Sequence, residues 1–200
     1  CCSAAAVALR KTGSIDAVSY LSNIEIKNRN VHWNVQQAVL VTEAEFYRFD
    51  QMRGAKARAD LPQHKLERLT FDVPTRSDLP AGERALKEAL AISAGSTFAK
   101  NLGNLPGNIC TPAYLAEQAQ ALAKQHSSIK VKVLEKPEIE KLGMGSFLSV
   151  ARGSQQPHKL IVLEYLQGKK DEKPVALVGK GLTFDAGGIS FKPADKLEDM

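Results

Sequence analysis

Apolar residues in the first half of the chain recur with the periods of strands and helices. Residues 17–21 and 65–73 carry short apolar patterns that predict β-strands. Between them, residues 30–53 place apolar side chains at helical spacing and predict a long helix. A further helix is predicted over 77–102, where a Ser-Asp cap precedes a stripe of small and apolar residues.

The second half alternates predicted strands and helices. Thr111 and Pro112 open a helix that continues to Lys124, because proline in the first turn loses no hydrogen bond that the helix needs. The further predicted elements are strands over 129–134, 160–165 and 175–178 and a short helix over 137–142. The run 175–178 is continuously apolar, which is typical of a strand buried on both faces, and we expect it beside 160–165. Strands alternating with helices predict an α/β fold with a mostly parallel sheet.

The composition is that of an ordinary globular chain. Of its 200 residues, 44% are hydrophobic and 24% are charged, which allows one or two domains with a sizeable core. The net charge of +5 mildly favours anionic partners. The three cysteines form neither a disulfide framework nor a zinc pattern, and they indicate a reducing cytoplasm. No stretch has the length and apolarity of a membrane span, so no membrane contact is expected.

The residues best suited to bind a metal or take part in a reaction follow the last predicted strand. Lys180, Asp185 and Lys192 lie in the glycine-rich segment VGKGLTFDAGGISFKP, residues 178–193. Ligands of open α/β sheets bind beyond the carboxyl ends of the strands, and a carboxylate is a hard oxygen ligand for a divalent metal. A lysine can ligate only as a neutral amine, which requires that a bound metal displace its proton.

Spacing alone leaves the role of this segment open, because a solvated loop has the same residue types. Known phosphate-binding patterns are excluded. The lysine of GKG is not followed by Ser or Thr and has no upstream glycine at the spacing of a phosphate-binding loop, and no GxGxxG opens a helix. The order FDAG also differs from the DFG of protein kinases.

The segment resembles the first metal-binding motif of the two-metal leucine aminopeptidases, also called cytosol aminopeptidases. NLGNLPGNICTPAYL at 101–115, FDVP at 71–74 and MGSFLSVARGS at 144–154 resemble other parts of the same family, close to its bacterial aminopeptidase A type. The resemblance implies that the chain is divided into three parts. These are the later half of an amino-terminal α/β domain over 1–76, a connecting helix over 77–102 and the start of a larger α/β catalytic domain over 103–200.

The resemblance also implies roles for the three charged residues. Lys180 would be the amine ligand of one metal, and Asp185 the carboxylate shared by two. Lys192 would point its ammonium at the scissile carbonyl and stabilise the oxyanion. The implied cofactors are two divalent ions, Mn²⁺ or Zn²⁺ with Mg²⁺ as a further candidate, which lower the pKa of a water. The implied substrates are peptides with a free amino terminus, cleaved one residue at a time, and the implied assembly of the full-length protein is a hexamer.

By the same resemblance, the sequence is expected to be a piece of a longer protein. The next metal-binding aspartate and a later NTDAEGR stretch of the family are missing, so the residues given would not complete a two-metal site or be active alone. Asp195, Glu198 and Asp199 are close in sequence, but an acidic run is more typical of a solvated face than of substitute ligands.

An alternative function is a non-catalytic assembly or DNA-binding module. Its support is the basic stretch 48–65, which contains Arg53, Lys56 and Arg58 and is also typical of a solvated loop. The histidines offer no further ligand set. His32 and Trp33 are expected in packing, and His126 and His158 are expected at the surface.

Overall fold

The computed structural model describes residues 1–61 and 64–195. By its internal contacts the chain divides into two compact units, Cys1–Asn104 and Leu105–Met200. The helix predicted over 77–102 lies within the first unit, where it packs against a neighbouring helix. Its assignment as a connection between domains stays a prediction, as do the boundaries at 76 and 102.

The first unit alternates helices with two short strands. In chain order its described elements are α1 (Cys2–Thr12), β1 (Asp16–Ser19), α2 (Val31–Phe46), α3 (Ala55–Ala59), β2 (Arg68–Phe71) and α4 (Leu79–Asn104). The elements β1, α2, β2 and α4 confirm the predicted strands and helices, although α2 ends at Phe46 instead of continuing to 53. It begins where predicted because the Asn30 side chain accepts a hydrogen bond from the Trp33 amide at 2.9 Å.

Two helices of the first unit are not predicted by the apolar pattern. In α1 the one buried side chain is Ala6, and in α3 none is buried. The helix α1 is rich in alanine, and α3 has only five residues, so neither gives a strong apolar signal in the sequence. The basic stretch, expected as a solvated loop, therefore contains one short and wholly exposed helix.

The strands of the first unit form a small parallel sheet. The register pairs Asp16 with Arg68 and continues to Ser19 opposite Phe71. The Arg68 guanidinium also donates to the Asp16 carboxylate at 3.2 Å, so the first pair is joined by side chains as well as by the backbone. This sheet, together with the helices between and after its strands, confirms the predicted α/β class.

The core of the first unit is the seam between α2 and α4. Val35 and Val39 of α2 pack against Ala85 and Ala89 of α4, and both alanines are 0% exposed. Alanine lets two helix backbones approach closely, and the valines fill the space that remains. The long α4 is thus held by a narrow row of small residues.

The second unit pairs its strands in the opposite sense. Its elements are α5 (Pro112–Gln125), β3 (Lys130–Leu134), α6 (Lys136–Lys141), α7 (Gly145–Val150) and β4 (Leu160–Glu164). All but α7 confirm predicted elements. The Thr111 side chain caps α5 by accepting from the Tyr114 amide at 3.2 Å, as its sequence predicts. Leu134 pairs with Leu160 in an antiparallel register, because α6 and α7 return the chain to the end at which β3 finishes.

The predicted strand over 175–178 is wrong for the described structure, and so is its expected pairing with 160–165. The segment has no strand assignment, and Val175, Leu177 and Val178 are 87%, 93% and 96% exposed. A strand exists only where a neighbour takes up its backbone hydrogen bonds. None of the described strands pairs with this segment, so apolar composition alone does not make it a strand. Parallel pairing is found in the first unit and not in the β3–β4 pair.

Two features bear on the environment of the chain. No helix in the described residues is long and apolar enough to cross a lipid bilayer. Cys1 and Cys2 are free thiols near the surface, whereas Cys110 is a free and buried thiol. Burial raises the pKa of the Cys110 thiol, which makes it a poor nucleophile.

The seam between α2 and α4 generates a stability prediction. Ala89→Leu inserts a large side chain where no space remains and should lower the free energy of unfolding by about 1–3 kcal/mol. Ala94→Leu is the matched control, because Ala94 lies on the exposed face of the same helix. Urea titrations of both variants provide the measurement. Equal stabilities would show that the seam is not closely packed.

Candidate functional site

A tight turn at Gly187 shapes the segment that contains the three candidate residues. Gly187 has a φ of +109°, and a Cβ atom there would collide with the Ser190 carbonyl oxygen. Only glycine adopts such a backbone without strain. The Lys192 amide donates to the Ala186 carbonyl at 3.0 Å and closes the turn. The chain therefore returns toward Asp185 within a few residues.

This turn brings Lys192 onto Asp185. The Lys192 ammonium lies 3.1 Å from one carboxylate oxygen, with the two side chains 30% and 33% exposed. The other oxygen accepts the Gly187 amide at 3.0 Å. The Gly187 amide first, and the Lys192 ammonium next, lower the pKa of the Asp185 carboxyl. The carboxylate is thus held anionic and in one orientation by its own loop.

Lys180 lines the same cleft, but among the described hydrogen bonds none joins it to Asp185 or Lys192. Lys180 and Asp185 both line a cleft of about 550 Å³ in the second unit. Lys180 is exposed, and its charge adds a weaker effect that lowers the pKa of Asp185. The structure therefore brings all three predicted residues to one place, two in direct contact and the third beside them.

The walls of the cleft are partly apolar and partly polar. The apolar side chains come from α7 and from the loop itself: Phe147, Val150, Leu182 and Phe184. The polar ones come from the segment that leads into β4: Ser154, Gln156, His158 and Lys159. At this rim the Lys159 ammonium bonds the Glu135 carboxylate at 2.6 Å, which ties the entrance of β4 to the start of α6.

His158 corrects one expectation from the sequence. The sequence predicts an ordinary surface residue there, but His158 is half-buried on the cleft wall. Its ring packs edge-on against Phe147 with 6.0 Å between ring centroids. Its Nε2 atom is buried without a hydrogen-bond partner in the described structure. The sequence signal that could have revealed it is its place just before an apolar strand, where side chains line the strand end.

The other residues that the sequence singled out are not among those that line this cleft. The His32 imidazole bonds Glu88 at 2.9 Å, and Arg29 stacks over the Trp33 ring at 4.6 Å, so both residues take part in side-chain packing as expected. His126 is exposed, and so is Asp195. The remaining acidic residues of that run, Glu198 and Asp199, lie outside the described residues.

The donor types at the cleft fit a divalent cation, but their number is small. Asp185 is an anionic oxygen donor with its pKa lowered, and Lys180 could add a nitrogen after losing its proton. In the described part of the chain, no three His, Cys, Asp or Glu side chains gather in a way that could hold a metal. Metal sites in proteins use about four or more donors. The cleft thus offers part of a ligand set.

Comparison with protein families finds two matches. The profile of the cytosol aminopeptidase family, catalytic domain, matches residues 97–200. The profile of the cytosol aminopeptidase family, N-terminal domain, matches residues 1–56. The catalytic-domain match includes the cleft and all three candidate residues.

Curated relatives and solved structures agree with these matches. A probable cytosol aminopeptidase of Thioalkalivibrio sulfidiphilus is 50% identical over 96% of this chain and 38% of its own length. The cytosol aminopeptidase of Vibrio cholerae is 47% identical, again over 96% of this chain and 38% of its own length. The chain therefore spans about two fifths of the curated relatives that it matches.

Two solved structures share the fold. A tomato leucine aminopeptidase mutant superposes with a TM-score of 0.76 at 28% identity, over 92% of this chain and 36% of its own. The bottromycin maturation enzyme BotP in complex with Mn superposes with a TM-score of 0.74 at 26% identity, over 97% of this chain and 38% of its own. Both likenesses extend over nearly the whole chain.

The contacts of Asp185 generate a titration prediction. Lys192→Met removes the ammonium but keeps the length of the side chain, so the pKa of the Asp185 carboxyl should rise toward its ordinary value. The pKa of Asp185 is lowered in the folded protein. The ionised carboxylate therefore stabilises the folded state at pH values above the ordinary carboxyl pKa. This contribution is lost as the pH falls through the lowered pKa of the folded protein. Carbon-13 NMR of the carboxyl measures the shift.

Lys180→Met is the matched control for this titration. Lys180 acts on Asp185 only by charge at a distance, so its removal should raise the pKa less than removal of Lys192 does. A larger rise with Lys180→Met than with Lys192→Met would contradict the described contact.

Proposed function

The chain belongs to the cytosol aminopeptidase family, and from this premise we propose that it is part of a metal-dependent aminopeptidase. The reaction is hydrolysis of the first peptide bond of a peptide with a free amino terminus. The single observation that supports it most is the contact of Lys192 with Asp185 beside Lys180, in one loop at one cleft. Because the relatives are much longer, the activity is proposed for the whole protein.

Asp185 and Lys180 are proposed as metal ligands. Asp185 is suited to this role because two hydrogen bonds fix its orientation and its lowered pKa keeps it anionic. Lys180 is exposed and lines the cleft. Because an ammonium has no free electron pair, it must lose a proton before its nitrogen can bind a cation. Since these are only two residues, further ligands are required from elsewhere in the whole protein.

Divalent ions bound there would supply a Lewis acid and a water of lowered pKa. Two ions are proposed, with Mn²⁺ and Zn²⁺ as first candidates and Mg²⁺ as the third. Of the solved structures that share the fold, one is described as a complex with Mn. Carboxylate and amine donors also bind Zn²⁺, so these residues do not select one metal.

Lys192 is proposed to stabilise the oxyanion of the reaction. Its ammonium can donate three hydrogen bonds and here uses Asp185 as a partner. If Asp185 held a cation, its carboxylate would be less available to the Lys192 ammonium, and Lys192 would be free to donate to a substrate carbonyl. The same ion pair therefore has two uses. It holds Asp185 anionic in the absence of a cation and keeps Lys192 within reach of the reacting bond.

The cleft wall supports a preference for an apolar first residue of the peptide. Phe147, Val150 and Leu182 give apolar surface to the same cleft that Lys180 and Asp185 line. A leucine side chain that leaves water for such a surface gains about 1.5–3 kcal/mol when it is fully buried. A leucine-type preference is therefore the substrate class that we propose.

The domain organisation, assembly and location are proposed on family grounds. The chain would comprise the later half of the amino-terminal domain over 1–76, a connecting helix over 77–102 and the start of the catalytic domain over 103–200. The full-length protein would assemble as a hexamer in the cytoplasm.

A second candidate function is DNA binding through the first unit. The observation that favours it is the exposure of every residue over 51–60, which includes Arg53, Lys56 and Arg58. A fully solvated basic segment can contact phosphates without losing other interactions. An assembly module without catalysis would use the same surface.

The oxyanion role predicts a kinetic defect. Lys192→Ala should lower kcat for a leucine amide substrate by about 100- to 1,000-fold, because one donor to the developing charge is removed. Bound metal, measured by elemental analysis, should be retained. Lys173→Ala, at an exposed lysine of the preceding loop, should leave kcat unchanged. Unaltered hydrolysis by Lys192→Ala would remove the proposed role.

The DNA-binding candidate predicts a salt-dependent affinity. Replacing Arg53, Lys56 and Arg58 with Gln should weaken binding to duplex DNA and reduce the salt slope by up to about three, one for each phosphate that the three side chains neutralise. Fluorescence anisotropy at several salt concentrations measures both effects.

A second triple variant separates this surface from general charge. Lys169, Lys170 and Lys173 are equally exposed basic residues, and their replacement with Gln should leave the affinity unchanged. No detectable binding of the unmodified protein at low salt would eliminate this candidate.

A further inference from the structure

The loop of the candidate site packs directly against the turn before α5. At Gly107, a Cβ atom would lie 2.8 Å from the Thr183 carbonyl oxygen and 3.0 Å from the Phe184 Cβ atom. Real Cβ atoms essentially never come as close as 2.8 Å to another heavy atom, and a contact at 3.0 Å would require the neighbour to shift. The bare Cα of Gly107 thus leaves room for the backbone immediately before Asp185.

The turn that contains Gly107 is held by its own hydrogen bonds. The Ile109 and Cys110 amides both donate to the Pro106 carbonyl at 2.9 Å. The next residue, Thr111, caps α5. Cys110 is 6% exposed, so the turn is also anchored by a buried side chain. These hydrogen bonds and the buried side chain fix the conformation of the turn, which resists displacement by a neighbour.

The atoms facing Gly107 cannot move away easily either. The Thr183 carbonyl belongs to the backbone, and the Phe184 Cβ is attached directly to it. Neither is the far end of a flexible side chain. Any extra atom at 107 must therefore displace the backbone at 183 and 184, and with it the adjoining Asp185. The two contacts of Asp185, with the Gly187 amide and the Lys192 ammonium, are about 3 Å long and depend on its position.

We propose that Gly107 is a positioning residue of the site, which sets the place of Asp185 through the backbone of Thr183 and Phe184. The expected loss of activity rests on the proposed function, whereas the effect of Gly107 on the position of Asp185 does not. In this account the turn at 106–111 is a rigid platform for the loop. A displacement of about 1 Å is enough to lower a catalysed rate by about 100-fold. The absence of a side chain at Gly107 is therefore important for the position of Asp185.

The first test needs no variant. In the unmodified protein, NMR should show a nuclear Overhauser effect between the Gly107 α protons and the Phe184 β protons. Its absence from a spectrum with both residues assigned would overturn the packing on which the proposal depends.

The second test is Gly107→Ala, with Gly145→Ala as its control. A Cβ at Gly145 meets no atom within 4 Å, so both changes add one methyl group in the second unit but only one crowds the loop. The amide proton of Gly187, which donates to Asp185, should shift in Gly107→Ala and stay unchanged in Gly145→Ala. The Mn²⁺ affinity, measured by calorimetry, should fall about tenfold or more in the first variant alone.

Kinetics of both variants connect the geometry to the reaction. In Gly107→Ala, kcat for a leucine amide should fall about 100-fold with a smaller change in KM, because substrate binding keeps its apolar contacts. An unaltered Gly187 resonance in a folded Gly107→Ala protein would overturn the positioning role, whatever the activity. Failure of the unmodified whole protein, including the parts beyond this chain, to hydrolyse the amide would instead overturn the proposed function and leave the NMR result standing.

Discussion

The candidate site depends on one backbone constraint, the positive φ of +109° at Gly187. Because the chain reverses there, the Gly187 amide and the Lys192 ammonium meet the two oxygens of the same carboxylate. These contacts lower the pKa of Asp185 and orient it toward the cleft that Lys180 also lines. Any other residue at this turn would disrupt the geometry from which the charge pattern arises.

The charges of this loop are still open to solvent. Asp185 and Lys192 are about one third exposed, and an ion pair so close to water contributes little to stability. The same charges act far more strongly where water is excluded. The proposed reaction therefore requires that a bound peptide or other parts of the protein cover the cleft. The apolar wall formed by Phe147, Val150 and Leu182 is suited to such a cover.

The sequence predicts the elements that carry their own local signals. Asn30 and Thr111 each accept a hydrogen bond from a backbone amide of the first helical turn, as their positions indicate. The strands β3 and β4 and the class of the fold are predicted from periodicity in the same way. The run 175–178 is predicted wrongly, because a strand depends on a partner that no local pattern specifies. The helices α1 and α3 are not predicted, because α1 is rich in alanine and α3 is only five residues long.

The site likewise contains residues that one sequence motif identifies and residues that only packing brings to it. Lys180, Asp185 and Lys192 are recognisable in sequence because they share one motif, and the structure brings them together; their roles stay predictions. His158 and Gly107 are far from that motif in sequence. Their contacts with Phe147 and with the loop arise from packing between segments. The apolar strand that follows His158 is a weak sequence signal for its position, whereas no neighbouring residue indicates what Gly107 contacts.

The most direct test of the account is the position of a bound metal. Crystals of the whole protein, which includes the remaining ligands, can be grown with Mn²⁺ and measured by anomalous X-ray scattering at the manganese absorption edge. We predict a peak in coordination contact with the Asp185 carboxylate and the Lys180 amine, and the Lys192 ammonium turned away from Asp185. Manganese bound elsewhere, with the Asp185–Lys192 ion pair intact, would contradict the central claim that this loop is part of a metallopeptidase site.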